Sequence, residues 1–189
     1  MTPLRFLPVI FCLSLSVSLM GQVPNAQNPA GIPSSAPQPK ALSGSDKNAV
    51  TSSLENVYLL LSLVDWQANT MISSEGTLGF AKSAAKSFNA LWKDLAELGT
   101  ASGLSVPVAL SGGDNTKLAR LRKETGVRYE KGLLEWISKE TRRTHTGLET
   151  ASRTASDPRL KQLAEKWAPL VKEQWEAAET AGKTLAKAK

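Results

Sequence analysis

Beyond about position 45 the apolar residues recur at alternating steps of four and three, the spacing that keeps one face of a helix apolar. Over Ser45 to Ser73 this stripe reads Val50, Leu54, Val57, Leu61, Val64, Ala68 and Met71. Tyr58, Leu59, Leu60, Leu63 and Trp66 widen it beyond a two-helix seam, so this first helix is expected to touch several neighbours. A second helix is predicted from Thr77 to Leu98 with Ala81, Ala84, Phe88, Leu91, Leu95 and Leu98 inward and Trp92 beside them. Gly99 and Gly103 supply stop signals, and Gly103 to Gly113, which contains Pro107, reads as a crossover loop.

Asp114 is the expected N-cap of a short third helix that reaches Thr125 and is broken by Gly126. A longer helix follows from Val127 to Thr154, with Leu134, Ile137, Thr141, Thr144, Leu148 and Ala151 on one face. The last helix opens on Asp157-Pro158, an N-cap with proline at the first helical position. Its expected stripe is Leu160, Leu163, Trp167, Leu170, Gln174, Ala177 and Ala181, and Pro169 inside it removes one backbone donor and is expected to kink it. No strand-like alternation of useful length follows position 45. The pattern predicts an all-α domain: an antiparallel four-helix bundle with one short extra helix.

The N-terminal region breaks this rhythm. Arg5 precedes an apolar run from Phe6 to Met20, and Gly21 follows, the layout of a secretory signal peptide over residues 1–21. The run is shorter than the roughly 20 residues a spanning helix needs, and Pro8 interrupts it, so cleavage is expected and not a membrane anchor. Residues 22–44 hold Pro24, Pro29, Pro33, Pro37 and Pro39 among Gln, Asn, Ser and Ala, and read as a linker. The bundle domain is then residues 45–189, one core's worth of chain. Export places the protein in the periplasm or outside the cell.

Cysteine and histidine usage narrows the chemistry. Cys12 lies in the signal run, so the mature chain would carry neither disulfides nor thiolate ligands. His145 is the sole histidine, and one His with Glu149 a turn away falls short of a metal centre. A serine or threonine nucleophile would have His145 alone as an ordinary base, with Ser138 and Thr141 at helical spacing from it. Gly112-Gly113 lacks the Gly-Lys-Ser/Thr ending of a phosphate loop. Glu173, Glu176 and Glu179 read as a solvated face. These patterns point away from an enzyme, and no catalytic, metal or cofactor residue is assigned.

Charge adds one candidate. The chain carries a net +6, but Ala41 to Asp114 holds four Lys against seven Asp or Glu, whereas Asn115 to Lys189 holds seventeen basic residues against ten acidic. Arg120, Arg122, Lys123, Arg128 and Lys131 gather around the Gly126 break, and Lys139, Arg142 and Arg143 follow. Such a patch attracts anionic lipid heads or envelope polysaccharide, and export disfavours nucleic acid. Interspersed Glu124, Glu130, Glu135 and Glu140 fit a helix surface of i to i+4 pairs. Of the five tryptophans, Trp92 and Trp167 are expected in the core, and Trp136 and Trp175 at its margins, where they could mark a partner surface.

Several of these residues form a recognisable set: Phe80-Ala81, Leu95, Leu98, the Gly103-Leu104-Ser105-Val106-Pro107 exit, and Asp157-Pro158-Arg159-Leu160-Lys161 with Pro169 downstream. From Gly79 to Ala178 the chain resembles an exported bacterial family catalogued as domain of unknown function 4142. The resemblance implies a ferritin-like bundle in the cell envelope and no assigned activity. It also implies an Asp-His pair on the second and on the later long helix and a His on the last, where this chain has Ser87-Phe88, Glu140-Thr141 and Gln174. A metal site built on those histidines would be lost here. The leading expectation is therefore a non-catalytic envelope protein that binds an envelope protein or an anionic surface. The alternative is a divergent ferritin-like redox protein with other metal ligands.

Overall fold

The computed structural model describes residues 41–65 and 70–187, and the expected signal peptide, most of the linker, Trp66 and Ala68 lie outside them. Five helices follow one another: α1 (Gly44–Val64), α2 (Glu75–Ala101), α3 (Gly112–Leu121), α4 (Gly126–Thr154) and α5 (Pro158–Lys187). No strand occurs among the described residues. The fold is all-α, as the periodicity requires. No helix among the described residues is long and apolar enough to cross a membrane.

Two helices end at residues other than those the stripe predicts. α1 stops at Val64 instead of continuing to Ser73. The Ser73 and Ser74 amides donate to the Glu130 carboxylate of α4 at 2.8 and 3.0 Å, so these two residues belong to the entry into α2 and not to α1. α2 runs three residues past Leu98 and carries Gly99 within it. A Cβ on Gly99 would lie 3.2 Å from Leu54 Cδ1, so this glycine lets α1 approach α2 closely and does not act as the stop. Gly103, at φ 72°, is the stop: Leu104 N–H donates to Gly99 O and Gly103 N–H to Thr100 O, the paired bonds of a Schellman cap. Because a side chain in this left-handed region costs about 1–2 kcal/mol, Gly103→Ala is expected to lower the melting temperature by several degrees in a thermal melt.

The N-cap of α3 is Ser111, not Asp114. Ser111 Oγ accepts from Asp114 N–H at 3.1 Å and donates to Asp114 Oδ2 at 2.7 Å, so the aspartate completes a reciprocal cap from the third helical position. Gly126, at φ 55°, then turns the chain into α4. α3 rests on α4 where Leu121 fills the space over Gly132, since a Cβ there would come within 2.8 Å of Leu121 Cδ1. Asp157 caps α5 as expected, accepting from Arg159 and Leu160 N–H at 2.8 and 3.4 Å.

α4 packs along α5 and α1 along α2, while α2 also packs on α5 and α1 on α4. One core results. It contains the expected inward faces of α2 and α4 together with Val50, Leu54, Val57, Leu60 and Leu63 of α1. On α5 the stripe differs from expectation: Leu170 is 39 % exposed, and the buried line is Leu160, Ala164, Trp167, Val171, Ala178 and Leu185. Small Ala164 and Ala178 face inward because helices packed on α5 from two sides leave room for methyl groups where the hydropathy of Leu170 suggested a larger anchor. The connection between α2 and α3 is tied back to α1, where Tyr58 Oη donates to Val108 O at 2.8 Å. Tyr58 also packs its ring against Trp92, with centroids 5.4 Å apart.

Candidate functional site

The eight basic residues of the sequence-level patch do not face one way. Lys131, Lys139 and Arg142 line a groove between α4 and α5, whereas Arg143 borders a separate cleft under the α2–α3 connection. Arg120, Arg122 and Lys123 belong to the end of α3 and the turn after it, and Arg128 pairs with Glu124 at 3.5 Å across that turn. Residues three and four apart share a helix face, which is why Lys131, Lys139 and Arg142 converge and neighbouring Arg143 points elsewhere. Arg143 instead approaches Glu140 Oε2 at 3.9 Å.

The α4–α5 groove has a volume of about 510 Å³, within the range of small-molecule sites. Buried Leu134 and Ala178 form its floor, and Gly182 and Ala186 continue a strip of small residues along α5. Trp175 closes one end. Its indole N–H donates to Glu179 Oε1 at 2.8 Å, and its ring carries the Arg142 guanidinium at 5.1 Å and stands 6.2 Å from the His145 ring. Lys183, which sequence reasoning left out, joins the rim from α5. Lys131 lies 3.8 Å from Glu135 and Lys183 lies 3.9 Å from Glu179, so two of the four rim cations have carboxylate partners. Among the described residues, Lys139 and Arg142 form no ion pair. The uncompensated positive charge therefore sits at the Trp175 end.

The tryptophans divide differently from expectation. Trp167 is buried and donates its indole N–H to Asp94 Oδ2 at 2.8 Å, joining α5 to α2. Lys166 holds the same oxygen at 2.7 Å, and these contacts keep the Asp94 carboxyl below its ordinary pKa, Lys166 contributing most. Trp136 is not marginal but buried, with Lys117 of α3 covering its ring at 3.9 Å. α3 provides the lid that the sequence pattern of α4 alone could not reveal. Burial there pushes the Lys117 ammonium below its ordinary pKa.

Of the four buried carboxylates among the described residues, all outside the groove, Glu130 and Asp46 fasten the ends of other helices. Glu130 accepts from the amides and hydroxyls of Ser73 and Ser74 at the start of α2. Asp46, in the first turn of α1, accepts from Ser156 N–H, Ser156 Oγ and Asp157 N–H at the start of α5. Each places negative charge where a helix exposes amide donors and the positive end of its dipole. Of the glutamates expected on the solvent-facing surface of the basic patch, Glu130 is completely buried and Glu140 nearly so, which corrects that expectation for both.

The candidate catalytic and metal-related positions do not assemble. Glu149 pairs with Arg153 at 3.2 Å, not with His145. Phe88 and Thr141 are buried and Gln174 is half-buried, with Thr141 Oγ1 and Gln174 Oε1 lacking hydrogen-bond partners. No cluster of three or more His, Cys, Asp or Glu residues suited to a metal ion occurs among the described residues.

Five helices around one core, with a cation-rimmed groove between the last two, define a small all-helical domain. A family model described as a domain of unknown function (DUF4142) matches residues 33–181, and the chain belongs to that family. No curated protein and no solved structure matches it.

Proposed function

We propose that this is an exported, non-catalytic protein of the cell envelope that binds anionic groups along α4 and the α4–α5 groove. We also propose that α1, α2, α4 and α5 form an antiparallel four-helix bundle of ferritin-like layout. The layout is supported by the packing of α1 on α2 and α4 on α5, with the Ser102–Ser111 connection and α3 carrying the chain from one hairpin to the other. Export is supported by the Arg5, apolar run and Gly21 order of the N-terminal sequence. The observation that carries the binding reading is the pair of cations without ion-pair partners, Lys139 and Arg142, beside the half-buried Trp175. A carboxylate or phosphate docked there meets positive charge at little cost in broken ion pairs.

Sedimentation with phosphatidylglycerol vesicles tests this. Binding is expected at low salt and should fall steeply toward 1 M, where the screening length shrinks from about 10 Å to about 3 Å. Combined Lys139→Ala and Arg142→Ala should weaken it more than combined Arg122→Ala, Lys123→Ala and Arg128→Ala. Salt-insensitive binding, or equal binding to phosphatidylcholine vesicles, overturns the proposal.

A further inference from the structure

We infer that the α4–α5 groove is a site for a single-chain amphipathic anion, such as a fatty carboxylate, with its head at Lys139 and Arg142 and its chain along α5. The inference deepens the anion-binding reading and rests on it.

Three features of the groove carry it. Its charge is uneven: Lys139 and Arg142, the rim cations without a carboxylate in ion-pair range, stand on α4, whereas Lys131 and Lys183 are each paired with a glutamate, Glu179 also accepting from the Trp175 indole. Its body is apolar, because Ala178, Gly182 and Ala186 recur every four residues and leave a channel over Leu134 where larger side chains would fill it. Its length follows from the helix rise: Trp175 to Ala186 spans about 16 Å, which suits an extended medium-length acyl chain. A compact anion such as phosphate would use the head position and leave the apolar channel wet. A neutral chain would fill the channel and leave two cations unused. An amphipathic anion satisfies both ends, and Trp175 supplies an aromatic surface at the junction, the role for which an indole is suited.

Gly182 offers a clean test. A Cβ at this position meets nothing within 4 Å and Gly182 lines the groove, so Gly182→Leu adds bulk there without changing any charge. Isothermal titration of the full chain with sodium decanoate below its micelle concentration is expected to show saturable binding of one anion. Gly182→Leu should weaken it at least ten-fold. The combined Lys139→Ala and Arg142→Ala variant should also weaken it at least ten-fold, and 1-decanol should bind at least ten-fold more weakly than decanoate. Absence of saturable decanoate binding by protein that still sediments with anionic vesicles overturns the inference and leaves the anion-binding reading standing; loss of both overturns both. Decanoate binding unaffected by Gly182→Leu, or equal binding of 1-decanol, overturns the site assignment.

Discussion

Glu130→Ala is expected to destabilise the fold by about 3 kcal/mol, the upper end of what a single substitution does, because it removes a buried carboxylate that accepts from four donors at the start of α2. The Ser73 and Ser74 amides and the Ser73 hydroxyl all donate to Glu130 Oε1 within 2.7–3.0 Å, and the Ser74 hydroxyl donates to Oε2. The Glu130 side chain is completely buried. The loss also frees the turn before α2 from α4, so α2 should fray from its start. Denaturant unfolding at pH 7 measures the cost.

Acid should reproduce part of it. Burial pushes the Glu130 carboxyl up, but hydrogen bonds from Ser74, Ser73 and Thr77 together outweigh burial and bring its pKa from 4.5 down to about 2. The folded pKa lies below the unfolded one, so this stabilisation is complete above pH 4.5 and is lost as the pH falls toward 2. At 1.36 kcal/mol per pKa unit the shift corresponds to about 3 kcal/mol. Asp46 and Asp157 are also held below their ordinary values, chiefly by the Ser156 hydroxyl and by Arg159 respectively, and add to the same limb. Glu130→Gln should make the acid limb of the stability profile shallower between these pH values; an unchanged limb would show that the carboxylate does not titrate against these donors.

Asp46→Ala is expected to cost about 2 kcal/mol, less than Glu130→Ala because its carboxylate accepts from three donors at the start of α5 where Glu130 accepts from four. Its carboxylate joins the first turn of α1 to the start of α5, more than a hundred residues later, through Ser156 Oγ at 2.6 Å and Asp157 N–H at 3.0 Å. Ser156→Ala alone should cost less, and the double variant should fall short of the sum by about 0.5–1 kcal/mol, since the two groups form one network. Strict additivity in denaturant unfolding would mean that the two side chains do not share an interaction.

Much of the fold was legible from spacing. The four-and-three repeat placed the inward faces of α2 and α4 residue by residue, and the Asp157-Pro158 and Gly103 signals marked a start and a stop because capping needs only local backbone geometry. The errors share one cause. Val64 as the end of α1, Val171 in place of Leu170 in the core, and Trp136 as a covered residue all depend on which neighbour faces a helix, and a single-helix pattern does not contain its neighbours. The candidate site divides in the same way. The basic excess of the second half of the chain is written in the composition, but its separation into a groove-facing set and scattered surface charges is not.

By itself, then, the sequence determined an all-helical chain, its family and the location of its excess positive charge, since periodicity, capping and composition are properties of residues close together along the chain. Only the tertiary structure decided that Lys139 and Arg142 meet Lys183 and Trp175 across a channel of alanine and glycine, and that Glu130 and Asp46 fasten helix ends from far away in sequence. Those contacts arise from helices laid side by side, and the burial and pairing of a charge depend on what the other helix brings to it.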